Sequence, residues 1–394
     1  MLRAYKYRLN PTDVQTTHLN QIFGSVRFVY NLAIEAKQAA YIGGKNVSCF
    51  DLCKQLTDLK QELPWLYDSP NHALQGAINN LDNAYTNFFK GRAKFPSFKK
   101  RNGRQSFHIP QGIKADFENG LVFIPKLKWV SVFFSRYFKG TIRNATVSRT
   151  PTGKYFVSIL VETGSPTPEK APIERSTAIG IDVGLTHFAT LSDGTKIDNP
   201  RFLKKSIRRL RVEQRTMQRR FKSGRGYENQ SNGYKKQKIK VALLHEKVAN
   251  QRKDFLHKQS TSIAKRFDTV VMENLNIAGM VQNKNLARSI QDAGWSMFGE
   301  MLKYKCDWYG KNFHQIGRFE PSSKICSCCG KHKGTMKMSE RVWACAGCGA
   351  THDRDINAAI NIKNFGTTKN NGQGLVQKTQ TQRISAYVVL ESPV

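Results

Sequence analysis

Residues 176–198 read STAIGIDVGLTHFATLSDGTKID. Three short apolar runs are separated here by glycine-containing turns, and Asp193-Gly194 is a hairpin signal, so the stretch reads as three antiparallel strands. The first run, AIGIDV, is apolar enough for a buried strand and carries Asp182 near its end, with Gly184 leaving room beside the carboxylate. A second apolar run, DTVVME (268–273), ends on Glu273. A third acidic centre, HDRDINAAINI (352–362), sets Asp353 and Asp355 at the start of a helix whose Ile356, Ala358, Ala359 and Ile360 would pack on a sheet. One Asp at a strand end is usually structural, and an Asp at a helix N-terminus has a capping role that stays open for Asp353. Two strands and a helix that each present an acid form a rarer pattern.

An opening antiparallel three-stranded unit, a helical excursion, a parallel strand and a closing helix follow the order of an RNase H-like fold. Carboxylates from the first strand, the fourth strand and the last helix converge in that order. Asp182, Glu273 and Asp355 are therefore the expected ligands of hard divalent cations, two Mg²⁺ ions or their Mn²⁺ counterparts. Such a pair, about 3.5–4 Å apart, stabilises the attacking and departing oxygens of phosphodiester hydrolysis, with no Ser, Cys or His nucleophile.

The helical excursion is chemically unusual. Residues 201–266 hold 21 Lys and Arg against four Asp and Glu, a net charge of +17 and half of the whole chain's +34. Breaks are expected at Ser223-Gly224 and at Ser231 to Gly233. A merely solvated hairpin would interleave both signs, so a phosphate-tracking role is expected, with Arg208, Arg209, Arg219 and Arg220 among the contacts. The excess over 394 residues, 63 basic against 29 acidic, is far beyond the roughly 2–8 charges that suffice for solubility. A polyanion, most simply nucleic acid, is the implied partner. The loop KGRAKFPSFKKRNGR (90–104) stacks further basic residues, Lys99 and Lys100 among them, around Phe95 and Phe98. Its composition suits phosphate contact.

The N-terminal half reads as a strand at 2–9 followed by helices. Asn10-Pro11 ends the strand and Thr12 starts the first helix; Leu74, Ile78, Leu81, Tyr85 and Phe88 then fall at helical spacing as one buried stripe. Strands return between about 105 and 165, with a hairpin closed by Pro-Thr-Gly at 151–153. The first strand needs partners that the helices cannot supply. The expected organisation is thus a β-domain of residues 1–10 and 105–175, a small barrel or curled sheet, interrupted by a helical insertion at 11–104. The Pro-rich stretch 164–172 leads into a nuclease domain at 176–366, and 367–394 is expected to be a flexible tail.

No apolar run with a cleavage site opens the chain, and no stretch of about 18 apolar residues occurs. A cytoplasmic protein, nucleoid-associated when on DNA, is expected. Of eight cysteines, five crowd into CSCCG (326–330) and CAGCG (345–349). Cys326 and Cys329 form one C-x2-C pair, and Cys345 and Cys348 the other after 15 intervening residues. This is zinc-ribbon spacing. Cys328 is out of register and reads as a bystander, although it offers an alternate ligand if Cys329 is lost. The zinc, with four protein ligands, is expected to be structural, in a ribbon at 320–350 that can brace the Asp355 helix.

Taken together, GIDVG, VMENLNI, SIQDAGWSMF (289–298), PSSKICSCCG, the second CxxCG and HDRDINAAINI resemble the TnpB family of transposon-encoded RNA-guided nucleases, relatives of type V CRISPR effectors. GSVRFVYN (24–31), ALQGAINNLDNAYTNFF (73–89) and FPSFKK (95–100) extend the similarity over nearly the whole chain to about residue 366. The resemblance implies an α/β multidomain protein: a wedge β-barrel with a helical recognition insertion, then a RuvC domain containing a zinc ribbon. It implies a noncoding guide RNA from the transposon end, double-stranded DNA as target and a short adjacent motif read by the protein. A chain monomeric in protein and without membrane contact is expected. By position, the family's acidic triad falls on Asp182, Glu273 and Asp355 and its zinc ligands on Cys326, Cys329, Cys345 and Cys348. Gln75 becomes a reader of the adjacent motif. Two other readings are a nuclease-silent repressor, which the intact triad disfavours, and a nuclease or transposase acting without RNA.

Overall fold

The computed structural model describes residues 1–318, 320–337 and 339–371, which form two compact units, Met1–Ser165 and a second beginning at Pro166. The first unit opens with β1 (Leu2–Asn10), followed by α1 (Asp13–Ile42), α2 (Cys49–Glu62) and α3 (Asn71–Phe89). Thr12 and Ser48 start the first two helices with reciprocal capping boxes to Gln15 and Asp51, satisfying amides that a helix cannot pair internally. Six strands follow: β2 (Gln105–Ile109), β3 (Lys114–Asp116), β4 (Leu121–Ile124), β5 (Lys128–Phe133), β6 (Thr141–Arg149) and β7 (Tyr155–Glu162).

These strands form one antiparallel sheet in the order β2-β6-β7-β1-β5-β4-β3. The N-terminal strand sits inside it, paired with β7 along Leu2–Leu9 and with β5 at Arg8–Asn10. Among the described residues no ladder joins β2 to β3, so backbone hydrogen bonds do not close the sheet into the expected barrel. Leu19, Ile22, Leu74, Ile78 and Leu81 of the helices share a core with Val122, Val147 and Val157 of the sheet. The α3 stripe does not stay buried to its end. Tyr85 and Phe88 are only half-buried and join Phe89 and Phe95 in an aromatic cluster with ring centroids 5.2–6.3 Å apart.

Residues 166–175, assigned from the sequence to the first domain, pack with the second unit. Ala171 donates its amide to Gly310 O (2.8 Å) and accepts from Asn312 Nδ2 (2.7 Å), while Lys170 pairs with Asp307. The second unit continues with β8 (Ala178–Val183), β9 (His187–Leu191), β10 (Lys196–Asp198), α4 (Phe202–Arg220), α5 (Asn232–Arg266), β11 (Thr269–Met272), α6 (Ile277–Met280), α7 (Ala287–Ala293), α8 (Trp295–Trp308), β12 (Asn312–Gln315), β13 (Val342–Ala344), β14 (Thr351–Asp353) and α9 (Arg354–Asn371). The main sheet has the order β10-β9-β8-β11-β12. Its first three strands are antiparallel, and β11 runs parallel to both β8 and β12.

Two expectations shift. The break at Ser231 to Gly233 is a helix start, because Ser231 Oγ caps α5 through Tyr234 N and Gly233 lies in the first turn. Helix α9 runs to Asn371, so the tail does not begin at 367; its remainder, 372–394, lies outside the described residues.

The SIQDAGWSMF stretch is structural. Asp292, 8% exposed at its side chain, pairs with Arg252 (2.7 Å) and accepts the amide of Leu203 (2.9 Å), tying α5 and the start of α4 together. Helix α9 lies directly on β8: a Cβ at Gly180 would stand 2.0 Å from Ala359 O. Among the described residues no helix is long and apolar enough to cross a membrane.

Candidate metal centres

Strand β8 ends beside the first turn of α9 because Gly180 lets the two backbones touch. Asp182, two residues further along β8, and Asp355, one turn before Ala359, are thereby carried toward each other. Parallel pairing sets Met272 opposite Ile181, so Glu273, the next residue, leaves the sheet at the same end as Asp182. The electrostatics register the convergence. Burial pushes the Asp182 carboxyl well above the usual carboxylate range, the charges of Glu273 and Asp355 push it further, and Arg354 and Arg341 pull the other way. Burial also raises Glu273, against a hydrogen bond from the Ser322 hydroxyl (2.5 Å).

Asp355 is held by two guanidinium groups, Arg354 Nε at 3.2 Å and Arg341 Nη1 at 3.3 Å. Asp353 does the capping instead: Oδ1 accepts the amides of Asp355 (3.0 Å) and Ile356 (3.1 Å), and Lys196 donates to Oδ2 (2.7 Å). Burial pushes its pKa up, but the Lys196 and amide hydrogen bonds outweigh it and hold the group below its usual range. Asp182, Glu273 and Asp355 thus share one neighbourhood, yet they are not drawn into a tight cluster. Among the described residues, the donor sets lying within 4.8 Å of one another are both built on cysteine.

The first of these sets is Cys326, Cys329, Cys345 and Cys348. Cys326 and Cys348 sulfurs are 3.7 Å apart, and Cys329 and Cys345 sulfurs 3.5 Å. A tetrahedron with Zn–S bonds of about 2.3 Å requires edges of about 3.8 Å, so the four thiols fit zinc as they stand. Each knuckle turns the same way: Gly330 and Gly349 have φ of 75° and 71°, a left-handed conformation that glycine adopts without strain, and their amides return to Cys326 O and Cys345 O at 2.9 Å. The amides of Gly347 and Cys348 bring the Cys345 thiol down to about 6, favouring the thiolate a metal needs. Buried Trp343 packs against Cys326 and Cys345.

A second set, Cys326, Cys328 and His352, overlaps the first, with His352 Nε2 3.0 Å from Cys326 Sγ. The sequence reading offered Cys328 as an alternate ligand, which the second set includes, but missed His352. It also missed Ser322, Arg341, Asn357 and Asn361, which carry no metal-binding spacing and become visible only once β11, the ribbon and α9 are adjacent.

The expected nucleic-acid contacts differ in availability. Arg208, Arg209, Arg219 and Lys100 are exposed. Arg220 is exposed but ties α4 to α5 through Gly233 O (3.1 Å). Lys99 lies over the Tyr30 ring at 3.7 Å, and burial lowers its pKa. Gln75 is half-buried on α3.

A family profile described as "Probable transposase" matches residues 158–284, and one described as "Cas12f1-like, TNB domain" matches 295–362. A relative from Acanthamoeba polyphaga mimivirus, "TnpB-like protein L79", is 25% identical over 208 residues, 51% of this chain and 39% of its own. A protein of Streptomyces pristinaespiralis named "Putative RNA-guided DNA endonuclease" is 37% identical over 402 residues, covering 99% of this chain and 96% of its own. The chain belongs to the TnpB family. Another similar protein is "Putative RNA-guided DNA endonuclease InsQ" of Escherichia coli K12, 34% identical and covering 92% of this TnpB family member and 91% of itself.

A solved Cas12f1 bound to sgRNA and target DNA shares the fold, with a TM-score of 0.60 at 17% identity over 89% of this chain and 83% of that one. A third profile, described as "Helix-turn-helix domain", matches residues 1–45. Those residues hold β1 and the single continuous helix α1, so this TnpB segment contains no helix-turn-helix pair.

Proposed function

We propose that this TnpB family member is an RNA-guided DNA endonuclease, cutting double-stranded DNA beside a short adjacent motif. In this reading the second unit is an RNase H-like, RuvC-type nuclease domain; the first is a wedge with the helical recognition insertion at 11–104. The observation that supports it above all is the meeting of Asp182, Glu273 and Asp355 in one electrostatic neighbourhood, from strands in the order β10-β9-β8-β11-β12. The names of the bacterial relatives point the same way.

The donor set is all carboxylate oxygen, which suits Mg²⁺ or Mn²⁺, and Asp182, Glu273 and Asp355 would hold it. When bound, such ions activate water and stabilise the attacking and departing oxygens of the phosphodiester. The protein's own groups prepare that chemistry. Burial raises the carboxyls of Asp182 and Glu273 above the usual carboxylate range, and the charges of Glu273 and Asp355 raise Asp182 further; a bound cation would favour their ionised forms. Arg341 and Arg354 balance the Asp355 charge meanwhile. The exposed arginines of α4, with Lys100, would contact phosphates of guide RNA and DNA, and Gln75 would face the adjacent motif. The four thiolates would hold a structural zinc.

The test is to purify the chain with RNA transcribed from its native genomic neighbourhood. The complex and Mg²⁺ are then given a plasmid that matches the RNA's 3′ end beside a randomised flank. Cutting that requires both the match and a particular flank is expected. Binding without cutting would favour the repressor reading, and cutting without the RNA match would favour a nuclease that needs no guide.

A further inference from the structure

Two of the asparagines of helix α9, Asn357 and Asn361, are buried, 1% and 4% exposed. Asn is a poor helix-interior residue because its amide competes with the backbone, and a buried amide is costly unless hydrogen-bonded. Four residues apart, both lie on one helix face. Both face the segment that leads into the ribbon. Asn361 Nδ2 donates to Ser322 O (2.8 Å) and Ile325 O (2.6 Å). Asn357 Nδ2 donates to Ile325 O (2.7 Å), and its Oδ1 accepts Ser327 N (2.9 Å). The held residue, Ser322, is itself only 5% exposed, and its hydroxyl donates to Glu273 Oε1 at 2.5 Å.

We propose that Ser322 is the positioning residue for Glu273, and that Asn357 and Asn361 fix Ser322 from the helix that carries Asp355. This rests on the reading of Glu273 as a cation ligand. The hydroxyl occupies Oε1 and leaves Oε2 to the cation, so Glu273 is oriented for one-oxygen ligation. Because α9 holds both Asp355 and the backbone of Ser322, the placement of two of the three acids is set by one docking face. The ribbon contributes through its first knuckle, which Asn357 grips beside Cys326. Orienting groups around a metal ligand typically change affinity by about 10–100-fold when removed.

The test is Mn²⁺ binding to the full protein–RNA complex, followed by electron paramagnetic resonance, with zinc content and thermal midpoint measured alongside. Ser322→Ala is expected to weaken Mn²⁺ binding about 10–100-fold, with zinc content and midpoint unchanged, and Ser322→Thr to restore it. Asn361→Ala, which keeps the hydroxyl but frees its backbone, is expected to give a smaller loss in the same direction. Wild-type Mn²⁺ affinity in Ser322→Ala, or a loss that occurs only together with zinc, overturns the assignment. Glu273→Gln separates the two levels: if it leaves Mn²⁺ binding intact, the ligand reading itself fails. If it weakens binding while Ser322→Ala does not, only the positioning role fails.

Discussion

The two candidate metal centres of the second unit are built on opposite principles. In the ribbon, four thiols already stand 3.5–3.7 Å apart in their pairs, the spacing a tetrahedral zinc requires. In the acidic centre the carboxylates share a neighbourhood without closing up. Asp355 is occupied by Arg341 and Arg354, and Glu273 by Ser322. The difference is electrostatic. Cysteine side chains pack like small apolar groups, and the Gly347 and Cys348 amides already favour the Cys345 thiolate that a metal takes. Three carboxylates repel, and the fold tolerates them by raising Asp182 and Glu273 and by pairing Asp355 with arginine. The ribbon is a preformed socket, whereas the acidic centre, in the proposed reading, would assemble around its cation.

Cys345→Ser should break the ribbon side of that contrast with the largest effect. Zinc content is expected to fall from one per chain to near zero, because structural zinc supplies about 10–16 kcal/mol of folding energy in small zinc modules. Cys329→Ser should retain more zinc, since Cys328 and His352 stand by around Cys326. Equal loss from both variants would remove any role for the second set. Gly180→Ala comes next: its Cβ would meet Ala359 O at 2.0 Å and lift α9 from β8. A cost of about 1–3 kcal/mol, the usual range for overpacking, is expected in chemical denaturation, together with weaker Mn²⁺ binding. An unchanged Mn²⁺ affinity would mean that helix docking does not set the acidic centre.

The smallest effect is in pH dependence. Folding raises the carboxyls of Asp182 and Glu273 above their usual values. Their contribution to stability is therefore present below about pH 4, near the unfolded values, and is lost as pH rises through the raised ones. Without added divalent ions the thermal midpoint should drift down over that window. Saturating Mg²⁺ should flatten the drift, because the cation takes the place of the protons. A drift of the same size in Asp182→Asn would show that these acids do not cause it.

Much of this was legible in the residues. AIGIDVG announced a buried strand ending in an acid because its apolar run is uninterrupted, and the paired C-x2-C spacing announced the four-thiol set. That β1 joins the sheet of the later strands followed from its lack of any local partner; its inner place did not. Other features were hidden for physical reasons. Strand β12, Asn312–Gln315, has too few apolar residues to signal itself and is defined by its pairing with β11. Tyr85 and Phe88 kept a helical period although their end of α3 leaves the core, since periodicity marks a face and not its burial. Ser322, Asn357 and Asn361 are ordinary polar residues until the ribbon meets α9. Arg341, a ribbon residue 14 positions before Asp355, is likewise invisible as its partner.

The most direct test is Asp182→Ala in the RNA-bound protein, measuring DNA binding and plasmid cleavage side by side. Binding should be unchanged, because the basic surface is intact, and cleavage should fall by more than the roughly 100-fold expected from losing an outer-shell partner alone. Cleavage retained at the wild-type rate would contradict the assignment of Asp182, Glu273 and Asp355 as one catalytic metal centre.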